Sequence, residues 1–315
     1  MIDIKTAFND CYNADKTKYI KKWLVGWEVS QEHHKYNGEK DFITWFERST
    51  KYVGKHYFYD NLNPLVEKSH SYHKKLVNKL NLDIDIDKYK DFSVYNAQDY
   101  LFQNLYPVPD RMEIKHVLDF GAGYGRQANL WTQLRDDVVY VAMDAIEAPY
   151  CMQYLYYQFL EKPFHDYVEE KDKFEINDDP GIYHLPTWRK DLLPHNFFDM
   201  IICVQVLQEL NARLVREMVK TFHEVLKPGG ALYIRDHDQA WKPAHLINLN
   251  DYLKKKGFVL EFRPHVIDKE DIHGIPRIWR KIDSKVEKSQ KLTAQKFLKF
   301  GGYLSKVMEK IRNNS

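Results

Sequence analysis

The chain has 315 residues, of which 44% are hydrophobic and 29% charged, so it can bury a core and is not a disordered chain. Its formal net charge of +2 gives no overall attraction for nucleic acid, and we expect no nucleic-acid partner. Three widely spaced cysteines form neither a disulfide framework nor a metal-ligand pattern, which is typical of reduced thiols. No signal peptide is visible, and no run approaches the ~20 apolar residues that span a bilayer, so the expected location is the cytoplasm.

The first 110 residues carry apolar side chains at helical spacing, as at Phe42, Trp45 and Phe46, and predict a mostly helical region. Two prolines in the segment Tyr106–Asp110 interrupt regular structure and predict a hinge. We therefore expect three parts: a helical N-terminal region over 1–110, a catalytic domain over 111–283 and a tail over 284–315.

Beyond the hinge, short apolar strands alternate with helices. The expected strands are Lys115–Phe120, Val138–Met143, Gly181–Trp188, Phe198–Val204, Ala231–Ile234, Phe258–Phe262 and Arg277–Lys281. The expected helices are Arg126–Leu134, Pro149–Leu160, Asn211–Leu226 and Leu246–Lys256. This alternation predicts an α/β, Rossmann-like fold with a mainly parallel sheet and helices on both faces.

A glycine-rich loop, Asp119–Gly125, follows the first strand and opens a helix. Without side chains such a loop can turn tightly and let a ligand approach its backbone, and the helix start offers free N–H groups. Asp144 ends the next strand, 19 residues after Gly125. An acid at that place can accept hydrogen bonds from both hydroxyls of a ribose.

Two ligand classes use such a loop, and the charge pattern distinguishes them. A dinucleotide site needs Gly-x-Gly-x-x-Gly and a helix start facing a pyrophosphate, whereas the spacing here is Gly-x-Gly-x-Gly. Asp119 would repel a pyrophosphate but attract the ammonium of a methionine moiety. The pattern therefore favours S-adenosylmethionine (SAM). An NAD(P)-dependent dehydrogenase and a non-catalytic SAM-fold partner protein remain the alternatives.

The same residues resemble a known superfamily. Val117–Gly125 looks like motif I of class I SAM-dependent methyltransferases, Phe198–Glu209 resembles their motif IV, and Leu226–Ile234 resembles the loop and strand that follow. Over residues 114–282 the resemblance implies a seven-stranded sheet whose last strand is antiparallel, with SAM as cofactor. It implies cofactor contacts from Asp119, Gly121, Ala122, Gly123, Gly125, Asp144, Ala145, Thr187, Trp188 and Gln205.

One stretch departs from the superfamily pattern. Many members have an acid after the third strand, near the adenine. Here either Asp191 fills that role, or Thr187 and Trp188 frame the adenine, which we favour because an indole offers a stacking face. The alternative for Trp188 is a core anchor.

Catalytic candidates follow the fourth and fifth expected strands. His237 is the first candidate for a base that removes a proton from a hydroxyl acceptor, since neutral imidazole accepts a proton near pH 7. Asp236 or Asp238 would orient it, and Glu209 is a second candidate base. A solvated polar loop and a helix-start acid are the alternative interpretations. We assign no metal site, because adjacent residues at one strand end cannot all face one ion.

The acceptor is suggested by a further resemblance. Tyr183–Asp191, Gln205–Glu209 and His273–Arg280 resemble sugar O-methyltransferases associated with bacterial surface-polysaccharide loci. The resemblance implies a sugar or glycan acceptor, with the N-terminal region as lid and acceptor site and Tyr95–Tyr100 closing over SAM.

The C-terminal tail, 284–315, has eight basic and two acidic residues, a net charge of +6. Phe297, Leu304 and Ile311 recur at seven-residue spacing. Such a segment can lie on an anionic membrane, and one interpretation of the tail is peripheral contact with the inner face of the membrane. The alternative is a helix that docks its apolar stripe on the protein.

Overall fold

The computed structural model describes residues 2–19, 35–50, 62–105, 113–236, 247–263 and 274–282. The candidate base His237, its neighbour Asp238, the hinge prolines Pro107 and Pro109, and the tail over 284–315 lie outside these residues. The predictions that concern them stay predictions.

The centre of the protein is a single mixed sheet. Its eight strands are β1 (His116–Phe120), β2 (Val139–Asp144), β3 (Phe164–Asp166), β4 (Gly181–Pro186), β5 (Phe198–Val204), β6 (Leu226–Asp236), β7 (Phe258–Phe262) and β8 (Ile275–Lys281). Their order is β3-β4-β2-β1-β5-β6-β8-β7, and only β8 runs antiparallel to its neighbours. This is the Rossmann-like α/β fold that the sequence predicts, including its antiparallel last strand.

The sheet has eight strands and not the expected seven, because it includes the short strand β3. It has three residues and pairs in parallel with β4 at the edge of the sheet. Its last residue, Asp166, is buried and accepts hydrogen bonds from Tyr150 (2.9 Å) and from the ring of His184 (2.8 Å). A strand this short shows no alternation of apolar and polar residues, so the sequence gives no periodic signal for it.

Strand β6 begins earlier than the sequence predicts. The expected strand starts at Ala231, but the observed one starts at Leu226, where the preceding helix ends. The pairing with β5 shifts between Phe198 and Met200, so the Lys227–Gly230 stretch forms an irregularity in the strand and not a loop outside it.

Helices flank the sheet and form the N-terminal region. They are α1 (Ile4–Asp15), α2 (Asp41–Thr50), α3 (Leu62–Lys79), α4 (Asp91–Leu105), α5 (Arg126–Gln133), α6 (Glu147–Phe159), α7 (Tyr167–Glu170), α8 (Ala212–Val225) and α9 (Leu249–Lys255). In α8, the apolar residues Leu214, Val215, Met218, Val219 and Phe222 are buried, at the spacing of one helical face. No helix within the described ranges is long and apolar enough to cross a membrane.

Candidate functional site

The glycine loop lies where the strand order reverses. Strand β1 has β2 on one side and β5 on the other, and the carboxyl ends of parallel strands at such a point form a crevice. Gly121 leaves β1 with a φ of +70°, and a Cβ there would lie 2.3 Å from Cγ2 of Val206, just beyond β5. Only glycine fits this approach between the two strand ends.

Backbone hydrogen bonds fix the loop to β2. The amides of Gly121 and Ala122 both donate to the carbonyl of Met143, at 2.8 and 3.2 Å. Gln153 of α6 donates to the carbonyl of Gly123 at 2.6 Å. Strand β2 and helix α6 therefore fix the conformation of the loop.

Asp144 ends β2 beside this loop, as expected. It accepts hydrogen bonds from the amides of Ala145 (2.8 Å), Ile146 (3.1 Å) and Gly123 (3.3 Å) and from Gln153 (3.3 Å). The structure thus brings together Asp144, Ala145 and the glycine loop, which the sequence assigns to one site.

Asp119, at the base of the loop, is a second buried acid. The hydroxyl of Tyr140 donates to it at 2.6 Å. Burial raises the pKa of Asp119 to about 7, and burial likewise raises the pKa of Asp144 to about 7. In the unfolded chain both carboxyls titrate near 3.8. Between pH 3.8 and about 7 the folded protein therefore binds more protons at these two carboxyls than the unfolded chain does. Its stability consequently falls as the pH rises through that range.

Arg126, the first residue of α5, lies beside Asp119 and lowers its pKa. Its Nη2 donates to Asp99 of α4 at 2.7 Å. Its Nη1 is buried and has no hydrogen-bond partner among the described residues. The Tyr157 hydroxyl and Oε1 of Gln153 are also buried without a hydrogen-bond partner among the described residues. The Tyr157 hydroxyl lies beside Gly125, where an added Cβ would be 3.0 Å from it. These three buried polar atoms near one loop are available to bind a polar ligand or water.

Asp99 is a site residue that the sequence interpretation missed. Its carboxylate is buried and accepts from Arg126, Gln127, Tyr233 and, through two nitrogens, Arg235. Despite burial, these groups lower its pKa to about 2. The sequence does not indicate this role, because the partners of Asp99 are 27 to 136 positions away along the chain.

The glycine loop is also tied to the N-terminal helices through Tyr124. Its hydroxyl bonds to Nε2 of His73 at 2.8 Å, and Nδ1 of His73 bonds to Ser93 at 3.0 Å. Phe46 and Phe92 pack edge-on or tilted against the Tyr124 ring. This contact places α2, α3 and α4 against the loop.

Thr187 and Trp188, predicted to frame an adenine, are both buried after β4. The Trp188 indole donates to Asp15 of α1 at 3.0 Å and packs edge-on against Phe8 and Tyr12. These contacts fit the core-anchor alternative for Trp188, and its adenine contact stays a prediction.

Asp191, the other candidate near the adenine, pairs with Arg189 through two hydrogen bonds of 3.1 Å. The Arg189 guanidinium lies between the rings of Tyr19 and Tyr167, at 4.0 and 4.5 Å. Asp191 is thus engaged in an ion pair of its own.

The catalytic candidates Asp236 and Glu209 lie near each other at the ends of β6 and β5. Asp236 is buried, and neither carboxylate oxygen has a hydrogen-bond partner among the described side chains. Burial raises the pKa of Asp236 to about 7, with the charge of Glu209 adding to the rise and the Arg277 guanidinium opposing it. Gln205, after β5, has a φ of +58° and donates its amide to the carbonyl of Arg235 at 2.9 Å. Non-glycine residues held at positive φ occur often at functional sites.

Comparison with known proteins identifies the family of the chain. Residues 95–275, more than half of the chain, match the family model described as a methyltransferase domain. No curated protein matches the sequence.

Three solved structures to which the chain is similar are the following. An arsenic(III) S-adenosylmethionine methyltransferase from Chlamydomonas reinhardtii is 16% identical, with 56% of this chain and 66% of that chain covered and a TM-score of 0.37. A candidate sarcosine dimethylglycine methyltransferase from Galdieria sulphuraria is 13% identical, with 62% and 88% covered and a TM-score of 0.43. A candidate methyltransferase from Bacillus halodurans is 14% identical, with 55% and 95% covered and a TM-score of 0.36.

Proposed function

The chain belongs to the methyltransferase-domain family, and from that premise we propose that it methylates a hydroxyl group of a sugar, in a surface polysaccharide or its precursor. The cofactor expected for a methyltransferase with this fold is SAM, and this replaces the alternative of an NAD(P)-dependent dehydrogenase. SAM supplies an electrophilic methyl group on a sulfonium.

The residues around the glycine loop suit this cofactor. Asp144 lies at the end of β2, where an acid can accept from both ribose hydroxyls. Asp119 precedes the glycines of the loop and Arg126 follows them, and the two offer one acidic and one positively charged group. A zwitterionic amino-acid end, with its ammonium and carboxylate, matches that pair.

Asp236 is the observation that carries the choice of a hydroxyl acceptor. An alcohol is a weak nucleophile, and its attack is assisted when a nearby base takes its proton. A buried carboxyl whose pKa is raised to about 7 is a stronger base than an exposed one and is still ionised in part at neutral pH. Glu209 and His237 are the other candidate bases, with Asp236 also able to orient His237.

The proposal extends to the location of the reaction. The charge of +6 on the tail over 284–315 supports contact with an anionic membrane, where lipid-linked glycan precursors are found.

The role of Asp144 can be tested without an acceptor. Asp144→Ala is expected to weaken SAM binding by about 1.5–3 kcal/mol in calorimetry, because a charged hydrogen-bond acceptor is lost. Asp137→Ala is a matched control, since this more exposed acid before β2 pairs with Arg135 outside the loop. Parental SAM affinity in Asp144→Ala would exclude the ribose contact.

The acceptor is tested by a mass-spectrometric screen with isotopically labelled SAM. We expect label on a hydroxyl of a sugar nucleotide or glycan, and no label when the cofactor is omitted. Amines and thiols are offered in parallel. Methylation of one of these, with no sugar modified, would refute the proposed acceptor while leaving the methyltransferase assignment in place.

A further inference from the structure

Asp99 holds two arginines in different ways. Arg235 uses Nε and Nη2 on the carboxylate, at 2.7 and 2.9 Å, and so presents a two-pronged fork to it. Arg126 gives only Nη2, at 2.7 Å. One carboxylate therefore faces two guanidinium groups, and the cluster of these three side chains keeps one positive charge in excess.

The second terminal nitrogen of Arg126, Nη1, does not bind Asp99. Its Nη1 is buried, with no hydrogen-bond partner in the described parts of the chain, although the side chain as a whole is 14% exposed. A buried guanidinium N–H without an acceptor is costly, so such groups are normally paired. Arg126 follows Gly125 directly, and its guanidinium, which binds Asp99, is also near enough to Asp119 at the base of the glycine loop to lower the pKa of that acid.

We infer that Arg126 binds the α-carboxylate of SAM through Nη1, and that Asp99 is the residue that positions it. The ammonium of the same amino-acid group has a counterpart in Asp119, and the carboxylate would take the excess positive charge of the Asp99 cluster. The inference rests on the cofactor and does not depend on the proposed sugar acceptor. A structural alternative is that Arg126 only neutralises Asp99.

Decarboxylated SAM separates the two interpretations, because it lacks the carboxylate but keeps the sulfonium, the ammonium and the nucleoside. For the parent protein, we expect calorimetry to show SAM binding about ten- to one-hundred-fold more tightly than decarboxylated SAM, the range expected for a charge-assisted hydrogen bond. In Arg126→Gln this difference should shrink to less than about three-fold, while the affinity for decarboxylated SAM stays near the parental value. A purely structural role would weaken both ligands by the same factor.

Arg126→Lys is the second variant, and it keeps the charge should the glutamine variant fail to fold. It should retain part of the preference for SAM, because an ammonium can contact the carboxylate but cannot serve Asp99 and the ligand as a planar fork. Equal affinity of the parent for both ligands, or equal losses for both ligands in the variants, would overturn the inference. Failure of the sugar screen would leave this result unaffected, since no acceptor takes part in it.

Discussion

Asp99→Ala is expected to lower the free energy of unfolding by about 3–5 kcal/mol, as is usual when one partner of a buried ion pair is removed. The loss follows from the contacts of this carboxylate, which accepts from Arg126, Arg235, Gln127 and Tyr233. Without it, Arg126 and Arg235 would both lose the buried carboxylate that they bind. Urea denaturation of both proteins measures the difference.

Asp85→Ala is the control for this measurement. Asp85 is exposed and pairs with Lys88 at 3.6 Å, and its side chain caps no helix. Its removal should change the unfolding free energy by less than about 0.5 kcal/mol. Because the pKa of Asp99 is lowered, its stabilisation is complete above pH ~4 and is lost as pH falls towards about 2. Unchanged stability in Asp99→Ala would mean that the cluster adds no net stabilisation.

Asp236→Asn is expected to lower turnover by about 10²- to 10⁴-fold, the usual range for loss of a general base, while SAM affinity stays near the parental value. The parental rate should rise with pH through about 7 and then level off, because the base must be ionised and burial raises its pKa to that region. The rate of the variant should lose this dependence.

Glu209→Gln and His237→Ala are the comparison variants in the same assay. A large loss in His237→Ala with little loss in Asp236→Asn would assign the base to the histidine and leave Asp236 an orienting residue. Near-parental turnover of Asp236→Asn, with its pH profile intact, would remove Asp236 from the mechanism.

The features that sequence predicts best here are local ones. The glycine loop and Asp144 lie within one strand–helix–strand unit, and the requirement for glycine at Gly121 arises from a turn that the spacing already shows. Strand β5 has the predicted bounds, Phe198–Val204, because its apolar run over 200–204 is continuous and ends before the polar Gln205.

The features that sequence misses depend on distant partners. Asp99 meets Arg126 and Arg235 only after the chain has folded, and no spacing rule connects residues separated by 27 and 136 positions. In strand β3, Asp166 forms hydrogen bonds with His184 and Tyr150. The sequence of a three-residue segment does not indicate such contacts. For Trp188 the residue type alone suits both a stacking face and a core anchor; its hydrogen bond to α1 fits the core anchor, and the adenine contact stays a prediction.

The links of Tyr124 to His73 and of Arg126 to Asp99 have a consequence for how such enzymes can be recombined. The helices over 62–105 contribute partners to residues within and next to the glycine loop itself. A chimera that joined to this sheet N-terminal helices lacking His73 and Asp99 would remove the hydrogen-bond partner of the buried Tyr124 hydroxyl and the carboxylate that Arg126 and Arg235 bind. New acceptor specificity would therefore have to be grafted together with His73 and Asp99, or introduced through segments that do not touch the loop.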